Sequence, residues 1–469
     1  MRRFFEALTR AWPHTAEPAP IPIPQVAVVA HHLRLFGLVP EPIPGGGPEG
    51  VCIVEGAAEA AEPARRAAAA GAAVAVLLPS ERFCAVLGVA RTAARSAQPS
   101  LFRGPLPGPA ARLRSLCPTF RFAHPNGIAI VRDARNAAVW LWLAFGRGGI
   151  LLVGSDLAAD LVRYRQGDPA QAARRPEGNV WGFAGERPLY LFEDQLAGEA
   201  PHERHADWWA ATLADTVANR LGRRPKPILP GAAPGAVVLT GDDDQAELQR
   251  YERQLRLLDG APITYFLHPL TRHSRATLTT MLGRRSVDLG LHPDALATPG
   301  AYAELFAQQA EWFRQLTDRR ALAVRNHGYL NDGYWGHLAA WRRAGIRISA
   351  NLPGLDGRVL NGSLLPARVV DRGELSEHWS ILTAIGDGIL FIRGMDRTQS
   401  ADCVLETAQR IRDSGIPGVL VLNLHPENVE AAEGMHRAVL ELTNGGFHPW
   451  TIRQCLEWFA ARDQETQCL

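Results

Sequence analysis

The stretch 236–244 reads AVVLTGDDD, an apolar run that ends in three consecutive aspartates. The apolar run is typical of a buried strand. Adjacent carboxylates repel one another, and each raises the pKa of its neighbour unless a cation or a strong hydrogen-bond donor lies among them. A solvated turn, or an aspartate cap for the helix expected from Ala246, would also explain the cluster. Three isolated histidines downstream, His292, His327 and His425, each follow an apolar run and favour a cation.

Composition limits the class of protein. With 469 residues, the chain is long enough for two or three domains. Its 50 basic residues balance 48 acidic ones, so the charge gives no reason to expect a nucleic-acid partner. The six cysteines form no CxxC pair and are expected to be reduced thiols. The sequence shows neither a secretory leader nor a run of about 20 apolar residues, so we expect a cytoplasmic protein without a membrane span.

The order of apolar runs and helical stretches predicts the domain organisation. We expect a proline-rich leader over 1–24, an α/β domain over 25–165, a linker with a helix over 166–232, and a second α/β domain over 233–469. Continuous apolar strands that alternate with helices are typical of a parallel sheet covered on both faces. The predicted fold class is therefore α/β in both halves.

The N-terminal half resembles class I glutamine amidotransferase-like or flavodoxin-like domains. The resemblance depends on the segment GRGG at 146–149, which leads into a strand and then into Ser155-Asp156. A working amidotransferase requires a cysteine on a tight strand-to-helix turn with a histidine as its base. Cys84 has no flanking glycines, and Cys52 lies within a predicted strand. We therefore expect this half to have a structural or substrate-guiding role.

Four segments of the C-terminal half form a pattern. They are LTGDDD at 239–244, VDLGLH at 287–292, VRNHGY at 324–329 and VLVLNLHP at 419–426. In composition, order and interval they resemble the motifs of the NodB-type polysaccharide deacetylases of carbohydrate esterase family 4. The resemblance implies a distorted (β/α) barrel, whose active site would form at the carboxyl ends of the strands.

The resemblance also implies a metal site. The family motif that corresponds to His292 carries a second histidine four residues later, but this chain has Leu296 there. A zinc site requires about three protein ligands, and His327 is the natural replacement. The implied ligands are Asp243, His292 and His327, with Asp244 as an open alternative to Asp243. Zinc is the expected metal for such a set, and cobalt, nickel and manganese are alternatives.

The remaining site residues follow from the same resemblance. Asp242 would act as general base towards a metal-activated water, and His425 would act as general acid towards the leaving amine. Arg325 would keep Asp242 ionised, because a nearby guanidinium lowers the pKa of a carboxylate. Asn351 and Tyr329 are expected to contact a carbohydrate substrate.

The implied function is the metal-dependent removal of an acyl group from an N-acetylated carbohydrate. One alternative is a non-catalytic carbohydrate-binding or regulatory protein, which the missing second histidine favours. Another is a glycosidase or an O-deacetylase on the same scaffold. A glycosidase requires two carboxylates roughly 5–10 Å apart, so it would require a distant partner such as Glu427 or Asp356. The sequence leaves the oligomeric state open.

Overall fold

The computed structural model describes residues 22–43, 50–94, 100–173, 187–192, 204–284, 286–354, 357 and 362–465. Most of the predicted leader and Asp356 therefore lie outside the described residues. None of the described helices is both long enough and apolar enough to cross a membrane.

The N-terminal domain is a sheet flanked by helices. Its strands are β1 (Pro40–Glu41), β2 (Val51–Glu55), β3 (Ala73–Leu77), β4 (Ala90–Ala94), β5 (Ser100–Arg103), β6 (Arg112–Ser115), β7 (Thr119–Ala123), β8 (Ile128–Asp133), β9 (Ala138–Phe145) and β10 (Gly148–Val153). Its helices are α1 (Gln25–Leu35), α2 (Ala61–Ala70), α3 (Glu81–Val86) and α4 (Leu157–Gln166).

This sheet is parallel in one half and antiparallel in the other. Strands β1, β2, β3 and β10 pair in parallel, whereas β10 pairs antiparallel with β9, and β9 with β8. The predicted α/β class is confirmed, but the antiparallel half was not anticipated. The GRGG segment is a hairpin turn: Phe145 pairs with Gly148, and Gly146 has a φ of 56°. Two-residue hairpin loops favour glycine because they require positive φ.

The linker and the C-terminal domain supply the remaining elements. The strands are β11 (Ala236–Asp243), β12 (Ile263–Leu267), β13 (Val287–Leu291), β14 (Ala323–Val324), β15 (Ile348–Pro353), β16 (Ala367–Asp371), β17 (Glu374–Thr383), β18 (Ile385–Gly386), β19 (Val419–Asn423) and β20 (His448–Trp450). The helices are α5 (His205–Arg220), α6 (Leu248–Leu257), α7 (Arg275–Leu282), α8 (Tyr302–Thr317), α9 (Leu338–Arg343), α10 (Asp387–Ile392), α11 (Arg397–Asp413), α12 (Glu433–Asn444) and α13 (Ile452–Gln464).

The strands of the C-terminal domain pair in a ring. From β17 the order runs through β15, β14, β13, β12, β11 and β19 to β18, and all of these pairs are parallel. Strand β18 continues β17 after a single residue, Ala384, whose N–H donates to the carbonyl of Val421 at 2.9 Å. The pairing therefore returns to its starting strand. This arrangement agrees with the predicted distorted (β/α) barrel, in which all parallel strands end at one rim.

The two domains share buried contacts. The side chain of Gln166, at the end of α4, donates to the carbonyl of Val370 at 3.0 Å and accepts from its N–H at 2.7 Å. Val370 lies in β16, so this pair joins the N-terminal domain to the barrel. Helix α5 lies in the segment that the sequence analysis assigns to the linker, and its Trp209 packs against Trp140 of the N-terminal sheet with 5.2 Å between ring centroids.

Candidate active site

The candidate residues meet at the carboxyl rim of the barrel. Asp242 is the penultimate residue of β11, His292 follows β13, His327 follows β14 and His425 follows β19. The carboxyl ends of parallel strands meet at one edge, so residues distant in sequence become neighbours. Together they line one pocket, whose wall is formed by Arg187, Asp242, Asp244, His292, His327, Gly328, Tyr329, Pro353, Thr383, Gly386, Gly388, Ile389, Ile392, Asn423 and His425.

The three aspartates do not share one environment. Successive side chains of a strand point to opposite faces, so Asp242 and Asp244 face the pocket and Asp243 faces away from it. Asp243 is fully buried, and burial raises its pKa. It lies among side chains of the outer layer, which are Tyr251, Thr271 and His273. Of the two candidates, Asp244, the alternative that the sequence left open, is the one that lies beside His292 and His327.

Asp244, His292 and His327 form a group that fits a divalent cation. Their potential ligand atoms all lie within 4.8 Å of one another. The Oδ1 atom of Asp244 is 3.7 Å from Nε2 of His292 and 3.9 Å from Nε2 of His327. Nδ1 of His292 donates to the carbonyl of Arg325 at 2.7 Å, which leaves a lone pair on Nε2. Burial lowers the pKa of His292 to about 4, so its ring is neutral and able to bind a metal at neutral pH.

Asp242 is held by hydrogen bonds on both oxygens. Nη1 of Arg325 donates to Oδ1 at 2.8 Å, and Nδ2 of Asn423 donates to Oδ2 at 2.8 Å. Burial alone would raise the pKa of Asp242, but the Arg325 guanidinium lowers it well below its usual range. The other Arg325 nitrogens donate to Thr240, Ala350 and Thr383, and these bonds hold the guanidinium in place beside Asp242.

His425 faces Asp242 across the pocket. Its Nε2 lies 3.8 Å from Oδ2 of Asp242 and 3.8 Å from Oδ2 of Asp244. Its Nδ1 is 2.5 Å from Oδ1 of Asp387, which begins α10. Burial opposes the charged ring, but Asp387 outweighs it and raises the pKa of His425 to about 10. His425 is therefore a protonated imidazolium at neutral pH.

The two residues predicted to contact substrate have different positions. Tyr329 lines the pocket. Asn351 lies behind it, where its Oδ1 accepts from the N–H of Asn326 at 3.0 Å and its Nδ2 donates to the carbonyl of Leu330 at 3.1 Å. Both polar ends of Asn351 are used on the backbone, so the structure gives it the role of fixing the loop that carries His327.

Several functional residues escaped the sequence interpretation. Asn423 is two residues before His425 and could have been found by strand alternation. Asp387 has no such signal, because 38 residues separate it from His425. Arg187 enters the pocket from the predicted linker, outside the barrel itself. Leu296 is buried in the core of the barrel domain, and its aliphatic side chain offers no atom that could bind a metal.

The thiols of the N-terminal domain do not form a catalytic site. Cys52 lies in β2 and Cys84 in α3, and both are buried. Burial raises the pKa of each thiol to about 11, so neither supplies a thiolate at neutral pH.

No protein-family model matches this sequence, and no curated protein is similar to it. Among solved structures, a candidate polysaccharide deacetylase of Mycobacterium smegmatis is 14% identical, with a TM-score of 0.40; the match covers 51% of this chain and 95% of that one. The peptidoglycan deacetylase PdaC of Bacillus subtilis is 14% identical, with a TM-score of 0.33, over 49% and 93% of the two chains. A family 4 carbohydrate esterase of Streptomyces lividans is 10% identical, with a TM-score of 0.32, over 47% and 94%.

These matches extend over about half of the chain, and the N-terminal half is not covered. The matched structures include polysaccharide, peptidoglycan and chitin deacetylases of carbohydrate esterase family 4.

Proposed function

We propose that the pocket hydrolyses the amide bond of an N-acylated carbohydrate, with Asp242 as general base and His425 as general acid. The observation that supports this proposal most is that Asp242 and His425 both lie beside the same group of candidate cation ligands. His425 Nε2 lies 3.8 Å from both Asp242 and Asp244, and His292 Nε2 lies 4.0 Å from Asp242. A base and an acid that lie beside the same cation-binding set suit a reaction that removes one proton and delivers another.

Asp244, His292 and His327 would hold a divalent cation, which when bound acidifies a water molecule and polarises the acyl oxygen. Zinc is the expected cation for one carboxylate and two imidazoles.

Asp242 accepts the proton of that water. Arg325 and Asn423 fix its orientation, and Arg325 keeps it ionised by lowering its pKa. A carboxylate with a low pKa is a weak base, so it is matched only to a water that is already acidified. Its Oδ2 atom faces His292 and His425, and therefore faces the space where the water must lie.

His425 delivers a proton to the leaving amine. Its pKa of about 10 keeps Nε2 protonated at neutral pH, and the contact of Nδ1 with Asp387 fixes the ring. As the water oxygen bonds to the acyl carbon, the carbon–nitrogen bond breaks and the nitrogen takes the His425 proton. The products are a free carboxylate and a free amine.

The carbohydrate part of the proposal follows from the sequence motifs and from the pocket wall. Tyr329 lines the pocket and is the aromatic residue proposed to contact the sugar. A carbohydrate-binding protein without catalysis is the second candidate, and Leu296 in place of the usual second histidine is the observation that favours it.

Acetate release tests the proposal. We expect the zinc-loaded protein to release acetate from N-acetylglucosamine oligomers, and we expect Asp242→Asn and His425→Gln to lower kcat by about 10²–10⁴-fold. Acetylated xylan is the matched O-acetyl substrate. Acetate release from acetylated xylan alone would show that the bond cleaved is an ester and not an amide. Saturable sugar binding without any acetate release would support the carbohydrate-binding protein instead.

A further inference from the structure

A second set of polar side chains lies directly behind His327. It consists of His268, after β12, and Asp294, after β13. Oδ1 of Asp294 is 3.4 Å from Nδ1 of His327, and Oδ2 of Asp294 is 3.3 Å from Nε2 of His268. The rings of His268 and His327 meet edge to face at 5.0 Å between centroids. Neither Asp294 nor His268 lines the pocket.

The hydrogen bonds of His268 fix its proton. The N–H of Leu270 donates to Nδ1 of His268 at 3.1 Å, so Nδ1 carries a lone pair. A neutral imidazole has one N–H and one lone pair, so Nε2 must carry the proton. That N–H points at Asp294. For Nε2 to bind a metal, His268 would have to lose its last ring proton or break the bond from Leu270.

Asp294 is itself rigidly placed. Its N–H donates to Oε1 of Gln309 at 2.8 Å, and its carbonyl accepts from Nε2 of the same glutamine at 2.7 Å. Its Oδ1 atom also accepts the N–H of Leu296 at 2.9 Å. A carboxylate held in this way presents a fixed acceptor to Nδ1 of His327.

We propose that Asp294, oriented by His268, is the positioning residue that makes His327 a metal ligand, and this inference rests on the proposed function. A carboxylate that faces Nδ1 places the ring proton there and leaves the lone pair on Nε2. Nε2 of His327 is the atom that faces Asp244. Histidine ligands of metals ordinarily give their other N–H to such an acceptor, which raises their basicity and fixes the ring.

In both histidines of the cation-binding group, an acceptor faces the Nδ1 atom. His292 gives its Nδ1 proton to the carbonyl of Arg325, and Nδ1 of His327 lies 3.4 Å from Oδ1 of Asp294. Each ring therefore turns Nε2 towards Asp244. Asp294 lies two residues before Leu296, the position at which the family motif has its second histidine. The segment that lacks this histidine therefore supplies the carboxylate that supports His327, the residue proposed to replace it.

Metal affinity tests this inference without any measurement of turnover. Zn²⁺ dissociation constants are measured by competition with a chromophoric chelator for the wild type, Asp294→Asn and the control Asp288→Asn. Asp288 is a carboxylate of β13 that pairs with Arg453, away from the pocket. In Asp294→Asn the side-chain amide cannot accept from both histidines, so we expect affinity to fall about 10–100-fold, whereas Asp288→Asn should bind like the wild type.

Histidine tautomers supply a second measurement that needs no variant of Asp294. In the metal-free wild type labelled with ¹⁵N-histidine, we expect the His327 signals, identified by their loss in His327→Ala, to show the proton on Nδ1. A proton on Nε2, or wild-type affinity in Asp294→Asn, would overturn the inference. A second bound zinc that disappears in Asp294→Asn while the first remains would also overturn it, because His268 and Asp294 would then be ligands.

These outcomes are separable from the proposed hydrolysis. If zinc binds with the expected loss in Asp294→Asn but no acetate is released from any substrate, the positioning role stands and the hydrolysis fails. If the wild type binds no zinc, the hydrolysis and the inference both fail. If acetate is released but Asp294→Asn keeps the wild-type zinc affinity, only the inference fails.

Discussion

Asp387 contacts His425 through both carboxylate oxygens. Oδ2 accepts the backbone N–H of His425 at 2.9 Å, and Oδ1 lies 2.5 Å from Nδ1 of its ring. The carboxylate is fully buried, so its charge is poorly screened by solvent. This one side chain therefore sets both the position and the protonation of the proposed general acid.

The contact between Asp387 and His425 should determine the pH dependence of hydrolysis. Catalysis requires protonated His425, and Asp387 raises the pKa of that ring to about 10. For the wild type we expect kcat/KM to fall on the alkaline side only as the pH approaches 10. In Asp387→Asn the pKa of His425 moves down, so activity should already fall as the pH rises through neutrality. The measurement is a profile of kcat/KM between pH 5 and 10.5, and an alkaline limb at the same position in both proteins would contradict the assignment.

The buried pair of Arg325 and Asp242 should matter for stability as well as for chemistry. Arg325→Met leaves the Asp242 carboxylate buried without its cation, and breaking a buried pair in this way costs about 3–5 kcal/mol. We expect that loss in urea unfolding. The exposed pair of Arg314 and Glu311 is the control, since solvent screens it and Arg314→Met should cost much less stability than Arg325→Met. Equal losses in the two variants would show that Arg325 does not stabilise Asp242.

Two neighbouring aspartates provide a matched test of the cation-binding group. Asp244 faces His292 and His327, whereas Asp243 lies on the other face of β11. We expect Asp244→Asn to lose most of its bound zinc and Asp243→Asn to retain about one equivalent per chain, as measured by elemental analysis after dialysis. The reverse result would return the ligand role to Asp243.

Asn351 should affect folding and not substrate binding. Asn351→Ala leaves the N–H of Asn326 without its buried partner and removes one of the two donors to the carbonyl of Leu330, which costs about 1–3 kcal/mol. We expect this loss in the free energy of unfolding, with KM for an N-acetylated oligosaccharide unchanged. A raised KM without a loss of stability would restore the substrate contact predicted from the sequence.

The sequence alone predicts the barrel and most of the pocket. Strand periodicity places Asp242, His292, His327 and His425 after apolar runs, and parallel strands necessarily bring such positions to one rim. The motif also predicts the pairing of Arg325 with Asp242, and a 2.8 Å contact joins the two residues. Local pattern and topology suffice for these residues because each lies at the end of a strand.

Other features depend on contacts that no local pattern encodes. Asp387 and Asp294 reach the histidines from separate loops, so only the folded chain shows that they are neighbours. In the N-terminal sheet, apolar runs such as β9 are buried along most of their length and do not reveal strand direction. The sequence could in principle have identified Asp244, and not Asp243, as the residue that faces the pocket, because Asp242 and Asp244 share one face of the strand.

We propose that His327 completes a metal site in place of the family's second histidine, whose position is occupied by Leu296. The most direct test is zinc content per chain, after incubation with zinc and dialysis, for the wild type and His327→Ala, with Asp288→Asn as a control. We predict about one equivalent in the wild type and in the control, and a sharp fall in His327→Ala. No bound zinc in the wild type, or the same content in wild type and His327→Ala, would contradict the account.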